Sequence, residues 1–409
     1  MTENSKIDKK SNKNKTAAHG FFIAISTSIA EPSTILPLIV THFGGESLLV
    51  GIFAALLRGG AILVQMIAAF YAQSFPLVKP YIRKVFLIRF LAWFSIGLVI
   101  YFLNDKNKTL TLFFIGLGLF IFSFTAGFGA IYFREMLGKM FTHKYRGKVM
   151  ATRQFFAGLG SIGSGALAGW VLNNFEAPYS FAYLFLVSSV LMLIGFSIFL
   201  TCDEPEKTKT SKKEKNFFLF LKNSFKILKS NKTLQFQIIS YLLSYSYLLS
   251  LPFVILDAKE NINLNGTAIG FFISSQMLGA TLSNFIWGKL SGNGKNRLIV
   301  QLSFIILLGI FLMVILFKNF YLYIIVFFMI GMSKDGFRLA FTNLLFIIAP
   351  DDKRPVYVAL QANIGSIGIF FSVLGGVILK FTSYQYLYII TFILLMIAFL
   401  LSFKLRDIN

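Results

Sequence analysis

The chain has 409 residues, of which 56% are hydrophobic and 14% are charged, and its mean hydropathy is +0.72. So few polar side chains cannot cover a water-facing globule of this length, which makes lipid the solvent for most of the surface. The formal net charge of +22 does not indicate a nucleic-acid binder, because the Lys and Arg residues lie between apolar runs and not on one folded face.

Twelve apolar runs, each long enough to cross a bilayer, are predicted to form transmembrane helices, and we call them spans 1 to 12. A Lys-rich stretch separates them into two groups of six. In chain order the spans cover residues 20–42, 46–73, 85–104, 109–133, 150–173, 179–201, 234–256, 266–289, 297–317, 320–345, 356–381 and 384–404.

Basic residues fall on alternate loops, which places both termini in the cytoplasm by the positive-inside rule. The Lys-rich N-terminus carries no signal-cleavage pattern, so span 1 is expected to stay in the protein. We expect a multi-pass protein of the bacterial cytoplasmic membrane. Its predicted segments are a tail (1–18), a six-helix bundle (19–201), a cytoplasmic linker (202–233), a second six-helix bundle (234–405) and a short tail (406–409).

The linker carries apolar residues at helical spacing, with lysines between them. This pattern predicts a short amphipathic helix on the cytoplasmic membrane surface, and the alternative is a solvated linker. The apolar positions are Phe218, Leu221, Phe225 and Leu228.

The two groups of spans repeat each other in sequence. GIFAALLRGGAILVQ from Gly51 aligns with GFFISSQMLGATLSN from Gly270, which matches Gly60 with Gly279. In the neighbouring spans, TILPLIV aligns with LSLPFVI. The offset is about half the chain length, so this is a duplication of a six-helix unit. Secondary transporters use this architecture and bind their substrates at midplane between the repeats.

Two ionisable residues lie near the middle of the first two spans. Glu31 precedes Pro32 in span 1, and Arg58 lies at nearly the same depth in span 2. A charge at midplane is costly, so each of them needs a partner, a wet cavity or a function. Either they form a fixed structural ion pair, or Glu31 handles protons while Arg58 contacts the substrate.

Span 10 carries three charges, at Lys334, Asp335 and Arg338. Residues 334 and 338 share a helical face, and Asp335 reaches Arg338 at i,i+3, so the face is cationic overall and suits an anionic ligand. Tyr241 and Tyr245 form a polar aromatic stripe on span 7, which suits a substrate wall or helix packing. Gln65 in span 2 is a further candidate contact, or an interhelical hydrogen bond.

Loop motifs and architecture together resemble the major facilitator superfamily. One family loop motif survives as GKLSGNGKNR from Gly288 to Arg297, without its Asp, and the earlier copy keeps only its basic end. Arg146-Gly147 and the Gly-rich span 5 look like the family's connector and fifth helix. The resemblance implies a cavity lined by spans 1, 4, 7 and 10. It also implies conformational gating by residues in or beside these motifs, for which the candidates are Arg146, Arg153, Gly288 and Arg297.

We therefore expect an all-α secondary active transporter that works by alternating access, and not an enzyme. No nucleotide-binding motif, cofactor or metal cluster is indicated by the sequence. Proton coupling through Glu31, a small organic anion such as a carboxylate siderophore, and a monomer without nucleic-acid partners complete the expectation. The alternatives are an efflux carrier for amphipathic compounds and an integral-membrane enzyme of lipid or cell-wall synthesis, which would need clustered polar residues at an interface.

Overall fold

The computed structural model describes residues 9–29, 31, 33–72, 75–206, 227–228, 231–350 and 354–405. These residues form helices and short connections, and none of them is in a strand. A helix satisfies its backbone hydrogen bonds within one segment, which is why so apolar a sequence adopts it in lipid.

Fifteen α-helices occur in the described part of the chain, and we number them in order. They are α1 Lys9–Ile29, α2 Ile35–His42, α3 Ser47–Ala72, α4 Lys79–Leu103, α5 Lys108–Met140, α6 His143–Asn174, α7 Tyr179–Leu200, α8 Lys232–Ser244, α9 Val254–Asn261, α10 Gly266–Gly292, α11 Asn296–Leu316, α12 Phe320–Ile348, α13 Arg354–Gly365, α14 Phe371–Phe381 and α15 Tyr384–Ser402.

The helices reproduce the twelve predicted spans. Nine helical stretches of the described residues are long and apolar enough to cross a membrane. One of them, Lys79–Met140, contains both α4 and α5 around a 3₁₀ turn, so the nine make ten crossings. The pair α1–α2 and the helix α3 supply the other two. The predicted fold class, an all-α membrane protein of twelve spans in two repeated bundles, is confirmed.

Spans 1 and 7 are each broken, although we predicted both as continuous helices. The helix α1 ends at Ile29 and α2 begins at Ile35, while 3₁₀ turns over Tyr245–Leu249 and Leu251–Phe253 separate α8 from α9. Each break lies beside the proline of the repeated TILPLIV and LSLPFVI segments. Proline has no backbone N–H to donate and its ring clashes with the preceding turn, so a helix breaks there.

Span 11 is also interrupted, by a 3₁₀ segment over Ser366–Phe370 between α13 and α14 that contains no proline. Several helices also continue past the predicted ends: α1 begins at Lys9, α5 extends to Met140 and α6 begins at His143. Hydropathy measures only the lipid-embedded part of a helix, so polar turns at its end escape that prediction.

Two compact units divide the chain. The first consists of residues 1–31 and 56–215, and the second of residues 32–55 and 216–409. The second unit therefore includes α2 and the start of α3, which pack against span 11. There Ser372 Oγ donates to the Gly51 carbonyl at 3.0 Å, and Lys380 Nζ lies 2.8 Å from the Glu46 carboxylate. The hydrogen bond from Lys380 holds the pKa of Glu46 below its usual value.

Most of the predicted amphipathic linker helix lies outside the described residues. Its last apolar residue, Leu228, is helical and packs with Ile227 against a buried apolar cluster that includes Leu234, Ile238 and Leu345. This part of the segment therefore joins the second unit's core.

Matching glycines place α3 against α5 and α10 against α12. A Cβ on Gly279 would overlap the backbone of α12, and one on Gly331 would overlap the backbone of α10. In the first unit, a Cβ on Gly60 would lie 2.8 Å from a backbone nitrogen of α5, and one on Gly127 would overlap the backbone of α3. Small residues that let backbones touch are a main source of helix association in lipid. The aligned glycines Gly60 and Gly279 thus make equivalent helix contacts, the first with α5 and the second with α12.

We expect Gly331→Val to destabilise the protein, because the added side chain must push α10 away from α12. Overpacking of this kind costs about 1–3 kcal/mol, which should lower the melting temperature of the purified protein by several degrees. Gly288→Val is the matched control on α10, since nothing lies within 4 Å of a Cβ there. Equal losses in both variants would show that the close contact is unimportant.

Candidate functional site

A buried histidine and two arginines lie together within the first unit. His19 on α1 is 4% exposed and is surrounded by aromatic rings. The ring centroid of Phe133 on α5 lies 5.4 Å from that of His19, and that of Phe199 on α7 lies 4.8 Å away. We call His19, Arg89 and Arg153 the arginine cluster.

Both arginines lie over aromatic rings, Arg89 over two and Arg153 over a third. The Arg89 guanidinium, from α4, lies 4.4 Å from the ring centroid of Phe122 and 5.4 Å from that of Phe196, while the Arg153 guanidinium, from α6, lies 5.1 Å from that of Phe133. A Cβ on Gly20 would lie 2.5 Å from Arg153 Cγ, so the glycine next to His19 makes room for this arginine. Each cluster residue lies about ten residues, or roughly 15 Å, from the start of its helix.

The cluster carries positive charge that no acidic side chain of the described chain neutralises. Nε of Arg89, Nε of Arg153 and Nδ1 of His19 are buried and have no hydrogen-bond partner among the described atoms. Aromatic faces attract guanidinium groups and replace part of their hydration. They leave the Nε donors of the two arginines without an acceptor among the described atoms, so the cluster suits an anion that accepts hydrogen bonds.

Sequence reasoning missed two members of this cluster. Neither His19 nor Arg89 is among the residues that the sequence predicted for the site. A signal existed in Arg89, a guanidinium in the apolar stretch VFLIRFLAWF. Arg153, which the sequence predicted as a gating residue, lies in the arginine cluster.

Glu31 lies at the break of span 1 and is 8% exposed. No ion pair between Glu31 and Arg58 is among the contacts that the structure describes, and Glu31 is not without a partner. The fixed structural pair and the functional role of Glu31 both remain hypotheses. For Gln65, predicted to contact substrate, the side chain lies outside the described part of α3.

The charges predicted on span 10 form a small network within the second unit. Arg338 Nε donates to Asp335 Oδ1 at 2.9 Å, which confirms the expected i,i+3 pair, and Asn284 on α10 donates to the other carboxylate oxygen at 2.8 Å. The Arg338 side chain is 59% exposed. Lys334, one turn earlier on the same face, leaves this network cationic overall.

Tyr241 and Tyr245 share a hydrogen bond of 2.9 Å between their hydroxyl groups, with their rings nearly perpendicular. Next to them, Gln237 Nε2 donates to Gln361 Oε1 at 3.3 Å. These four side chains form a polar layer between α8 and α13 beside the break of span 7. They provide hydroxyl and amide groups in a setting that is otherwise apolar.

Asp257 is a buried acid that sequence reasoning did not select. It is 2% exposed, and its carboxylate accepts hydrogen bonds from Lys318 Nζ and, at 2.8 Å, from the Tyr323 hydroxyl. Asn261 donates to its other oxygen at 3.1 Å. A carboxylate with this many donors is fully satisfied within the protein, and it ties α9 to the start of α12.

Two of the predicted gating residues make contacts that fit a role at helix ends. Arg146 Nη2 donates to the carbonyls of Gly138 at 3.1 Å and Phe141 at 3.3 Å, at the C-terminal end of α5. A cation there complements the helix dipole. The Arg297 guanidinium lies 5.6 Å from the ring centroid of Phe403. Gly288 faces open space and is not needed for packing.

Metal ligands are not grouped within the described residues, where no three His, Cys, Asp or Glu side chains could hold an ion. The candidate groups are therefore guanidinium groups in the first unit and phenol, amide and carboxyl groups in the second unit. Groups of these kinds can bind a solute by charge and hydrogen bonding.

Comparison with known proteins identifies the class. The family model for the Major Facilitator Superfamily matches residues 17–256 and 236–408, so the chain belongs to this family. It is a membrane transporter and not an enzyme. No curated protein matches the chain.

Solved structures of transporters share its fold at low sequence identity. A mutant of the nucleoside transporter NupG has a TM-score of 0.77 at 12% identity, with 97% of this chain and 100% of that chain covered. A bacterial homologue of the iron transporter ferroportin, in an inward-facing state, has a TM-score of 0.72 at 12% identity over 96% of this chain and 98% of that one. A bacterial homologue of the lysosomal transporter Spinster gives 0.65 at 12% identity, with 98% of each chain covered.

Removal of the Arg146 side chain should slow transport and leave substrate affinity within a few-fold. The substitution Arg146→Ala deletes two charge-assisted hydrogen bonds to the end of α5, each of which contributes about 1.5–3 kcal/mol, but no part of the arginine cluster. Counterflow rates and equilibrium binding should be measured on the same preparation. Lys148→Ala, an exposed charge nearby, is the control and should change neither. A large loss of binding with normal rates would contradict this role.

Proposed function

We propose that the protein is a secondary active carrier for a small organic anion, and that it moves this anion with protons by exposing its site to one side of the membrane at a time. The observation that carries the proposal is the arginine cluster: two guanidinium groups over aromatic rings, with no acid of the described chain beside them. Uncompensated charge in a low dielectric strongly favours an anion.

The arginine cluster supports a specific division of roles. Arg153 lies on the Gly-rich α6 and approaches α1 at Gly20, and it is the residue we assign to ligand contact. Arg89 is assigned a different role. Its guanidinium lies over the rings of Phe122 and Phe196, where it makes the electrostatic potential of the arginine cluster more positive without contacting the ligand. A guanidinium binds a carboxylate through two parallel hydrogen bonds, so carboxylates, including carboxylate siderophores, are the preferred ligand class.

The second unit has candidate contacts of its own, which are proposed separately. Within that unit, Lys334 and Arg338 carry positive charge, and Tyr241 and Tyr245 carry hydroxyl groups that suit the polar parts of an organic anion. Arg58 and Gln65 remain proposed contacts on α3. The structural likenesses show only the fold, since each is 12% identical, and the substrate class therefore rests on these side chains.

The alternation of basic loops supports a bacterial cytoplasmic membrane location with both termini inside. The carrier is proposed to act as a monomer.

Arg153→Ala should weaken binding of organic anions by roughly thirty-fold or more, the effect of removing a buried charged hydrogen-bond partner. Thermal stabilisation of the purified carrier by a panel of mono-, di- and tricarboxylates, organic cations and nucleosides would identify the ligand class. Arg153→Lys should restore part of the affinity, and Arg134→Ala, an exposed arginine on α5, should leave it intact. Stabilisation by amphipathic cations alone, unchanged in Arg153→Ala, would favour the efflux alternative.

Glu31→Gln should abolish accumulation driven by a pH gradient and preserve exchange of substrate for substrate. A carboxyl group at a helix break gains or loses its proton as hydration and nearby charge change, which is the requirement for coupling. Transport in proteoliposomes, with and without an imposed pH gradient, measures both activities. Uphill transport with unaltered pH dependence would mean that the coupling site is elsewhere.

A further inference from the structure

A groove with a volume of about 1200 Å³ lies between α4 and α7 in the first unit, apart from the arginine cluster. Its lining combines basic and apolar side chains, among them Lys79, Arg83, Lys84, Leu87 and Ser197. By the predicted topology it opens at the cytoplasmic face, where α4 begins and α7 ends. Charged tips above apolar walls at a membrane interface match the two parts of a phospholipid.

Glu204 is held at one end of the groove by hydrogen bonds and an ion pair. The Glu204 carboxylate accepts hydrogen bonds from the backbone N–H groups of Val78 at 2.8 Å and Lys79 at 2.7 Å, and its side chain is 1% exposed. It also pairs with Lys139 at 2.8 Å, whose ammonium donates to the Pro76 carbonyl. The backbone N–H groups of Val78 and Lys79, which have no acceptor within α4, are therefore bonded to Glu204. The charge of Glu204 is in turn balanced by Lys139.

The remaining charges of the groove are mostly positive. Lys79 Nζ donates to the Cys202 carbonyl at 2.9 Å, whereas Arg83 and Lys84 are exposed and form no ion pair within the described chain. Two carboxylates lie in the lining: that of Glu204 is already paired with Lys139, and that of Asp203 opposes these three cations. Two adjacent cations with free donors beside a lipid boundary suit a phosphate group.

An apolar surface continues from the groove along both helices. Leu87 and, one turn further along α4, Leu91 are exposed, as are Ile194 and Val190 on the neighbouring α7. These side chains lie deeper in the bilayer than the charged end of the groove. They suit acyl chains that descend from a headgroup held by Arg83 and Lys84.

We propose that this groove is a binding site for one anionic phospholipid, whose phosphate contacts Arg83 and Lys84 and whose acyl chains lie along Leu87 and α7. Charge excludes the other nearby occupant, the linker. Residues 207–229 contain eight lysines against one acid, Glu214, so they would be repelled. The proposal does not depend on the identity of the transported solute.

Binding to the full-length carrier should be measured by native mass spectrometry and by melting temperature in micelles doped with phosphatidylglycerol, phosphatidylcholine or inorganic phosphate. Phosphatidylglycerol should bind and raise the melting temperature, and the other two should not. The double variant Arg83→Ala with Lys84→Ala should lose roughly thirty-fold in affinity, since each basic residue near anionic lipid contributes roughly a factor of five.

The matched control is Lys289→Ala with Lys295→Ala, which removes two exposed lysines from the second unit on the same predicted side. It should keep the affinity for phosphatidylglycerol; equal losses in both double variants would mean general charge attraction and overturn the site. Stabilisation by inorganic phosphate alone would make the groove an anion site and overturn the lipid assignment.

Ser197→Trp provides a second test in case the double variant Arg83→Ala with Lys84→Ala misfolds. Ser197→Trp fills the groove from α7 without changing its charge and should also abolish the stabilisation by phosphatidylglycerol. Undiminished binding in Ser197→Trp would place the lipid elsewhere and refute the proposal.

Discussion

The absence of water in the bilayer core is the constraint on which the rest of this structure depends. Backbone groups there must be bonded within the protein, so the chain forms helices, and each break in a helix needs a local substitute for the lost bonds. At the break of span 7, Ser250 Oγ lies 2.6 Å from Thr391 Oγ1 on α15. Near that of span 11, Ser372 Oγ donates to the carbonyl of Gly51. Hydroxyl side chains at or near these breaks thus form hydrogen bonds to neighbouring helices.

The same constraint distinguishes charges that the protein itself neutralises from charges that it leaves without a counter-ion. Asp257 is surrounded by donors from Lys318, Tyr323 and Asn261, and Glu204 is equally satisfied at the start of α4. Arg89 and Arg153 have aromatic rings in place of acids. A buried charge without a counter-ion lowers stability, and such costs concentrate at functional sites. This contrast is the physical basis for assigning the arginine cluster to the substrate.

After the duplication, the two halves kept the same helix contacts but acquired different polar side chains. The glycine contacts between α3 and α5 recur between α10 and α12, and the proline-linked breaks recur in spans 1 and 7. The polar residues did not follow this repetition: the first half carries the arginine cluster, and the second carries the Asp335 network and the tyrosine layer. Backbone packing tolerates few changes at close contacts, whereas the side chains that face a solute can vary with the ligand.

The sequence alone determined the class of protein, the twelve spans and the repeat, because hydropathy, charge alternation and glycine positions act over short stretches of chain. It also identified the Arg338–Asp335 pair, since residues three apart share one helical face. Only the tertiary structure decided which distant residues meet: His19, Arg89 and Arg153 come from three helices. Periodicity reports which face of a helix is polar, but it does not report which other helix that face will contact, and the charge balance of a buried site depends on that partner.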